Sequence, residues 1–239
     1  MKTAIITGGT SGIGLAAAKI FSAHDFNCVV VGRSRERFEN VKHELGEHTE
    51  FFSADVRKVA DCEKIISRTV ELFGGVDVLI NSAGIYREGA INDTDEEIFD
   101  DIFATNVKGT FFVTRAAVDE LIKSRGAVVN VASDAGLRGN YFCAAYSASK
   151  GAVVAFTRSL ALELASFPIR VNCVAPADIL TPLTINQLKT SGASVKDLAK
   201  FYPLGRVGTP EEVAEAIYFL TTATFITGTV LSVDGGITA

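Results

Sequence analysis

Tyr146 and Lys150 lie four residues apart, and their types and spacing could move a proton. On a helix this spacing places both side chains on one face, so the ammonium can lie close to the phenol. A free tyrosine titrates near ~10, and a neighbouring cation stabilises the phenolate and lowers that pKa. The pair is therefore predicted to exchange a proton with an alcohol or carbonyl oxygen near neutral pH. Taken alone, a Tyr-x-x-x-Lys pattern more often marks a surface helix.

Two further polar residues gain meaning from their positions. Ser133 ends an apolar run thirteen residues before Tyr146. In a doubly wound fold this is the edge of the sheet that binds ligands, although a serine at a strand end can also simply form a turn. Asn106, by itself, indicates only a polar residue inside a helix.

The elements that must position these side chains are short apolar runs that alternate with helical stretches. Because the runs are continuous, they are typical of parallel strands covered on both faces. Right-handed crossovers then give a doubly wound α/β fold. We predict a single Rossmann domain over residues 1–239, with a seven-stranded parallel sheet flanked by helices on both faces. The predicted strands are Thr3–Thr7, Cys28–Val31, Glu50–Ser53, Val76–Asn81, Val128–Val131, Ile169–Ala175 and Val230–Val233.

Capping residues mark two helix starts. Thr94 stands three residues before Glu97, which predicts a capping box. Thr209 is followed by Pro210 and then by Glu212, which predicts a second one with proline at the first helical position.

A glycine turn follows the first predicted strand. Residues 7–14 read TGGTSGIG, and residues 15–21 continue as a helix. Glycines allow the backbone to turn tightly and to approach a pyrophosphate, whose charge is met by the amides at the helix start. A glycine turn without a ligand is the alternative, but the order of strand, turn and helix favours a dinucleotide site.

The spacing of Gly8, Gly12 and Gly14 departs from GxGxxG and resembles the TGxxxGIG motif of the short-chain dehydrogenase/reductase family. The resemblance covers essentially the whole chain. Residues 81–84, NSAG, are similar to the family's NNAG, and residues 203–206 and 233–236 are similar to its late motifs.

This resemblance implies an oxidoreductase that moves hydride between a nicotinamide cofactor and a ketone or secondary alcohol. It implies that Tyr146 is the general acid/base, that Lys150 assists it, and that Ser133 binds the substrate oxygen. Asn106 matches the asparagine that holds a water linking the lysine to solvent, and the positive nicotinamide ring would lower the pKa of Tyr146 further. Ala177 departs from the family's Pro-Gly, which predicts a shifted ring or a restricted φ.

The residues after the second predicted strand indicate which cofactor is used. NAD enzymes carry a carboxylate about 20 positions beyond the glycine turn, whereas Arg33 and Ser34 stand here. Arg33 can pair with a 2′-phosphate, so NADP(H) is predicted in preference to NAD(H), which stays possible. The alternative is a solvated loop arginine, and Ser11 occupies the place where some NADP enzymes have a second basic residue. The predicted cofactor contacts are Gly8, Thr10, Ser11, Gly12, Ile13, Gly14, Arg33, Ser34, Asp55, Val56, Asn81, Ala83, Gly84, Tyr146, Lys150, Pro176, Ala177, Ile179 and Thr181.

Residues 177–208 break the rhythm of strands and helices, which predicts a substrate-covering loop. Its apolar residues suggest an apolar or medium-sized substrate, although their helical spacing could equally mean packing on the body of the protein. The predicted substrate contacts are Ser133, Tyr141 and Leu183. Arg87 and Arg138 flank the predicted pocket and either meet an anionic group or, more commonly for such residues, face solvent.

Composition and charge narrow the partners. A hydrophobic content of 48% with 21% charged residues is that of a globular chain with a sizeable core. The net charge of −5 disfavours nucleic acid and anionic membranes, and no apolar run approaches the roughly 18 residues of a membrane span. The four cysteines lack CxxC spacing and are predicted to be free core thiols. We therefore predict a cytoplasmic protein with a small-molecule substrate and no metal site.

Three alternatives remain beside the ketone or alcohol oxidoreductase. The general pattern is similar to that of 3-oxoacyl-carrier-protein reductases, and a non-catalytic dinucleotide-binding sensor could use the same fold. A sugar-nucleotide epimerase is disfavoured because Ser11 stands where its second glycine is required. The family resemblance also implies a homotetramer or homodimer.

Overall fold

The computed structural model describes residues 1–239, apart from the side chain of Ser191. All seven strands are parallel and form one sheet in the order β3-β2-β1-β4-β5-β6-β7. The strands are β1 (Lys2–Thr7), β2 (Phe26–Gly32), β3 (Thr49–Ser53), β4 (Val78–Asn81), β5 (Ala127–Val131), β6 (Arg170–Pro176) and β7 (Val230–Val233). The predicted doubly wound sheet is confirmed, and each strand differs from its predicted bounds by at most two residues.

Helices cover both faces of this sheet. They are α1 (Gly12–Ala23), α2 (Arg35–Val41), α3 (Val59–Phe73), α4 (Glu96–Phe103), α5 (Thr110–Ser124), α6 (Ala144–Glu163), α7 (Pro182–Ser191), α8 (Val195–Ala199) and α9 (Pro210–Thr222). A π-helical segment, Ala104–Gly109, joins α4 to α5.

Two apolar cores lie on opposite faces of the sheet. Neighbouring residues of a strand point to opposite faces, so Ile6 packs with Phe21 of α1 and Ile217 of α9. Ile5 packs on the other face with Leu121 of α5 and its neighbours from α3 and α6. Because both faces are covered, every residue of β4 and β5 is buried. The four cysteines are free and buried, as predicted.

Successive strands are added to one side of β1 up to β3 and to its other side from β4 onwards, and the ends of β1 and β4 define where a ligand can enter. Thr7 pairs with Asn81 in the register of the two strands. The Thr7 hydroxyl then accepts hydrogen bonds from the backbone amides of Ser82 and Ala83, both at 3.1 Å. The carboxyl ends of β1 and β4 are thereby held side by side, which is the switch point at which doubly wound sheets bind ligands.

The two predicted capping boxes have different outcomes. At α9, the Thr209 hydroxyl accepts from the Glu212 amide and the Glu212 carboxylate accepts from the Thr209 amide, as predicted. At α4 the prediction is wrong, because Asp95 caps the helix by accepting from the Ile98 amide at 2.8 Å. The Thr94 hydroxyl instead donates to the Ala90 carbonyl, since it closes the preceding turn.

Residues 177–208 contain two short helices rather than a continuous loop, and the covering of a substrate by this segment stays a prediction. Thr181 caps α7, with Pro182 at its first turn, and Gly192 ends the helix in the left-handed conformation. A capping box between Ser194 and Asp197 then starts α8. The helices are short enough to break the sequence rhythm, and the helical spacing of the apolar residues was the better guide. Among the described residues, no helix is long and apolar enough to cross a membrane.

Candidate active site

The glycine turn brings the backbone of β1 against the segment that follows β4. Gly8 has a φ of +68°, and a Cβ atom built on it would lie 2.9 Å from the backbone nitrogen of Ala83. Only glycine avoids both the strained φ and this overlap. The Gly8 amide also donates to the Val31 carbonyl at 2.9 Å, which ties the turn to the end of β2.

Tyr146 and Lys150 lie on consecutive turns of α6, as the spacing predicted. Lys150 Nζ lies 5.8 Å from the centroid of the Tyr146 ring and donates to the Val131 carbonyl at the end of β5 at 2.8 Å. The side chain is 6% exposed, and this burial lowers the pKa of Lys150 to about 8. The lysine is therefore a buried donor held at the carboxyl edge of the sheet.

The environment of Tyr146 acts against the predicted lowering of its pKa. Burial raises the pKa of Tyr146, and the negative charges of Asp134 and Asp178 raise it further. A hydrogen bond with Ser133 acts in the opposite direction. The protein's own residues thus favour the protonated phenol, so the expected lowering would have to come from the positive ring of a bound cofactor.

Ser133 follows β5 and caps the single turn Asp134–Gly136. Its hydroxyl accepts from the Ala135 amide at 3.2 Å and donates to Asp134 Oδ1 at 3.0 Å. The structure therefore brings Ser133, Tyr146 and Lys150 together at one edge of the sheet, where they border the same cleft.

Asn106 lies behind the cleft rather than in it. Its side chain accepts from the Ile85 amide at 2.8 Å and donates to the Ile85 carbonyl and the Ser149 hydroxyl, both at 3.0 Å. A Cβ atom on Gly84 would meet both Asn106 Oδ1, at 3.3 Å, and Lys150 Nζ, at 3.5 Å. Asn106 thus holds the segment after β4 beside Lys150, and its π-helical segment is a feature often found at functional sites.

A cleft of about 630 Å³ runs along the carboxyl edge of the sheet. It joins the ends of β1, β2, β4, β5 and β6 to the start of α7. The predicted residues that line it are Gly8, Thr10, Ser11, Gly12, Ile13, Gly14, Arg33, Ser34, Asp55, Val56, Ala83, Gly84, Ser133, Tyr146, Lys150, Pro176, Ala177, Ile179, Thr181 and Leu183.

Two predicted contacts do not line this cleft. Asn81 is 3% exposed and donates to Thr114 Oγ1 at 2.8 Å and Asn130 Oδ1 at 2.9 Å, so it links β4 to β5 and α5. The side chain of Asn81 therefore lies outside the lining of the cleft, whereas its neighbour Ser82 lines it; a contact of Asn81 with a cofactor stays a prediction. Tyr141 is 87% exposed and does not line the cleft, so its contact with a substrate stays a prediction.

Sequence reasoning missed several residues at the far end of the cleft. Glu36 and Arg37, from the first turn of α2, line it beside Arg33. Arg57 donates from Nε to both carboxylate oxygens of Asp55 at 3.0 Å and also pairs with Asp101 at 2.7 Å. The available signal for Arg37 was its position in the first turn of the helix that begins directly after Arg33 and Ser34.

Tyr86 was also missed, and it links the body of the protein to α7. Its ring meets the Tyr146 ring edge to face, with 4.9 Å between centroids. Its hydroxyl donates to Glu88 at 3.1 Å and accepts from Gln187 of α7 at 3.3 Å. The start of the segment 177–208 is therefore fastened beside Tyr146.

Ala177 fits its position without backbone strain. Its φ is not among the positive φ values of the chain, and its amide donates to the Val233 carbonyl at 3.3 Å. The extra methyl group therefore lines the cleft without a restricted φ. Among the described residues, no group of three His, Cys, Asp or Glu side chains could hold a metal ion.

Comparison with known proteins agrees with this geometry. The family model described as enoyl-(acyl carrier protein) reductase matches residues 8–238. The chain therefore belongs to the short-chain dehydrogenase/reductase family, a class of oxidoreductases.

Individual relatives match over nearly their full lengths. The chain is 38% identical over 243 residues to the 3-oxoacyl-[acyl-carrier-protein] reductase FabG of Chlamydia muridarum, covering 98% of this chain and 96% of that protein. It is 34% identical to the solved structure of ElxO with NADP bound, at a TM-score of 0.94, covering 99% of this chain and 98% of the other. A 3-ketoacyl-(acyl-carrier-protein) reductase from Brucella melitensis, complexed with NADH, is 33% identical at a TM-score of 0.93, covering 100% of this chain and 98% of the other.

Proposed function

We propose that the protein transfers hydride between NADP(H) and a ketone or secondary alcohol, with Tyr146 as the general acid/base. One observation carries the proposal: a single cleft has Ser133, Tyr146 and Lys150 at one end and two arginines, Arg33 and Arg37, at the other. The cleft therefore offers proton chemistry and recognition of a phosphate within one site.

The residues present fit a dinucleotide. The glycine turn allows close approach of a pyrophosphate to the backbone at the start of α1, a twelve-residue helix. Arg33 and Arg37 would hold the 2′-phosphate, and Asp55 and Val56 border the place of the adenine ring. When bound, the nicotinamide supplies or takes up the hydride.

Tyr146 and the side chains around it have distinct roles in the proposed reaction. Tyr146 gives its phenolic proton to the substrate oxygen in reduction and takes it back in oxidation. Ser133 borders the same space and hydrogen-bonds the substrate oxygen. Lys150 presents a buried positive charge to the cofactor ribose and the phenol. Because the amide group of Asn106 already bonds Ile85 and Ser149, we assign it the task of holding the segment after β4 against Lys150.

Cofactor preference gives a direct test of Arg33 and Arg37. Charge-assisted hydrogen bonds contribute about 1.5–3 kcal/mol each. Arg33→Ala and Arg37→Ala should therefore each weaken binding of 2′,5′-ADP about tenfold or more, measured by titration calorimetry, with little change for 5′-AMP. Arg33→Asp should move the preference of the enzyme towards NADH.

Arg35→Ala provides the matched control for these substitutions. Arg35 lies over the Phe51 ring at 5.3 Å and near Glu39 at 3.5 Å, so binding of 2′,5′-ADP should stay unchanged. If the unmodified protein bound NADH as tightly as NADPH, the assignment of the arginines would be wrong.

A 3-oxoacyl-carrier-protein reductase is the second candidate, favoured by similarity to the proteins of Chlamydia muridarum and Brucella melitensis that carry that name. A cofactor-coupled absorbance screen of ketones, secondary alcohols, sugars, steroids and acyl thioesters separates the two. Turnover only of thioesters would select the second candidate. Binding of NADPH without turnover of any compound would instead indicate a dinucleotide sensor.

We further propose a homotetramer or homodimer in the cytoplasm. Exposed aromatic side chains on the outer helices support assembly, because Phe99 and Phe111 are each 44% exposed and Phe219 is 51% exposed. The buried free thiols suit a reducing compartment. Gel filtration should give a multiple of the mass of one chain, and elution as a monomer would contradict the assembly.

A further inference from the structure

A buried carboxylate competes for the hydrogen of the Ser133 hydroxyl. Asp134 is 6% exposed, and its Oδ1 accepts from Ser133 Oγ at 3.0 Å. A hydroxyl has one hydrogen to donate and two lone pairs, and one lone pair of Ser133 already accepts from the Ala135 amide. In this arrangement Ser133 can accept from the Tyr146 phenol, but it can donate to a substrate oxygen or a phenolate only when its hydrogen leaves Asp134 Oδ1.

Arg138 balances the charge of Asp134 from the solvent side. Its Nε and Nη2 donate to Asp134 Oδ2 at 3.2 and 3.0 Å. The side chain of Arg138 is 38% exposed whereas that of Asp134 is 8% exposed. One oxygen of the carboxylate thus bonds Ser133 and the other bonds Arg138, which uses two of the five N–H donors of the arginine.

A close contact keeps this turn in a fixed place relative to Tyr146. A Cβ atom on Gly136 would lie 2.8 Å from the backbone carbon of Lys150 and 2.9 Å from its carbonyl oxygen. The turn Asp134–Gly136 therefore rests directly on the backbone of α6, one helical turn after Tyr146. Any shift of Asp134 away from α6 would break this contact.

Charged and titratable groups act on Tyr146 from several elements. Asp134 comes from the turn after β5, Asp178 from the segment after β6, Cys143 from the N-cap of α6, and Lys150 from α6 itself, one turn after Tyr146. Tyr86, from the segment after β4, contacts the ring. Both carboxylates raise the pKa of Tyr146, whereas the hydrogen bond with Ser133 lowers it.

We propose that Asp134 and Arg138 are a positioning pair that sets the orientation of the Ser133 hydroxyl and thereby the pH at which Tyr146 exchanges its proton. The proposal rests on the acid/base role of Tyr146 proposed above. When Tyr146 gives up its proton, the Ser133 hydrogen turns from Asp134 Oδ1 to the phenolate oxygen, while Arg138 continues to hold Asp134. Without Arg138, the uncompensated charge of Asp134 would hold the Ser133 hydrogen more strongly. A neutral side chain at position 134 would hold it less strongly.

The experiment compares pH profiles of kcat/KM for oxidation of a secondary alcohol selected by the screen. Oxidation needs the deprotonated phenol, so kcat/KM rises with pH. This rising part of the profile is the limb whose position on the pH axis is compared. Asp134→Asn removes the competing charge and should move this limb to lower pH by on the order of one unit. Arg138→Met leaves the carboxylate uncompensated and should move the limb in the opposite direction by a similar amount. Arg138→Lys should restore the wild-type position.

Lys123→Met is the matched control, because it breaks an exposed ion pair with Glu120 on α5 and should leave the limb in place. Shifts of Asp134→Asn and Arg138→Met in the same direction, or no shift in either folded variant, would overturn the positioning role. A variant that folds only in part, as seen by circular dichroism, would show a lower kcat/KM at every pH. The pH at which kcat/KM rises would stay the same in the fraction that is folded. Wild-type protein without any NADP(H)-dependent turnover would overturn the proposed function and this inference together. Normal wild-type turnover with an unmoved limb would overturn the inference alone.

Discussion

Tyr146→Phe is expected to lower kcat by about 10²–10⁴-fold, because positioned general acid/base catalysis contributes that much. The substitution removes only the phenolic oxygen, and the ring can keep its edge-to-face contact with Tyr86. Binding of NADPH, followed by nucleotide fluorescence, should therefore persist. The loss should appear in reduction and in oxidation alike, since the same oxygen carries the proton in both directions.

Tyr218→Phe is the matched control for this loss. Tyr218 lies on α9, packs against Phe21 and His24, and does not line the cleft. We expect its activity to match that of the wild type in the same assay. Undiminished turnover by Tyr146→Phe would rule out the proton transfer proposed here.

Lys150→Met is expected to remove activity and to stabilise the fold. Loss of a positioned charge at a reacting centre typically costs about 10²–10³-fold in kcat. The stability effect arises because burial lowers the pKa of Lys150 from 10.5 to about 8. One pKa unit corresponds to about 1.4 kcal/mol, so the buried charge costs on the order of 3 kcal/mol at neutral pH. Loss of the hydrogen bond to Val131 offsets about 1 kcal/mol of this effect. The free energy of unfolding of the variant should therefore rise by roughly 2 kcal/mol.

The pH dependence of this gain has a definite sign. Between pH 8 and 10.5 the unfolded chain holds a proton on Lys150 that the folded chain has lost. The free energy of unfolding of the wild type therefore rises with pH in this window, relative to the variant. Below pH 8 the buried charge of Lys150 lowers the free energy of unfolding of the wild type by its full amount. Urea denaturation should give a higher free energy of unfolding for Lys150→Met than for the wild type at pH 7. This difference should shrink towards pH 10.

Lys123→Met serves again as a control, since Lys123 is 69% exposed in its ion pair with Glu120. Solvent screens exposed pairs of this kind and they contribute little, so its free energy of unfolding should hardly change. A destabilised Lys150→Met would show that the contact of Lys150 with Val131 outweighs the cost of its burial.

Features that depend on neighbours along the chain could be predicted from the sequence alone. The continuous apolar runs indicated a parallel sheet because covered strands need no polar face. The spacing of Tyr146 and Lys150 placed both on one side of α6. The glycines between β1 and α1 indicated the turn because few other residues tolerate its conformation. Thr209 with Glu212 indicated the start of α9, since a capping box uses only residues within one turn.

Contacts between distant segments were decided by the tertiary structure. Asn106 faces Ile85 and Ser149, Asn81 joins α5 and β5 rather than the cleft, and Tyr141 is turned into solvent. None of these orientations follows from spacing, because each depends on which segments the sheet brings together.

The electrostatics of the opening pair show the same division. The sequence alone determined that Tyr146 and Lys150 share a face of one helix at the carboxyl edge of a doubly wound sheet. Only the tertiary structure decided that burial lowers the pKa of Lys150, that burial and the charge of Asp134 raise the pKa of Tyr146, and that Ser133 donates to Asp134. The reason is physical: the energy of a charge depends on the solvent it loses and on the charges that surround it, and both are set by packing between distant parts of the chain.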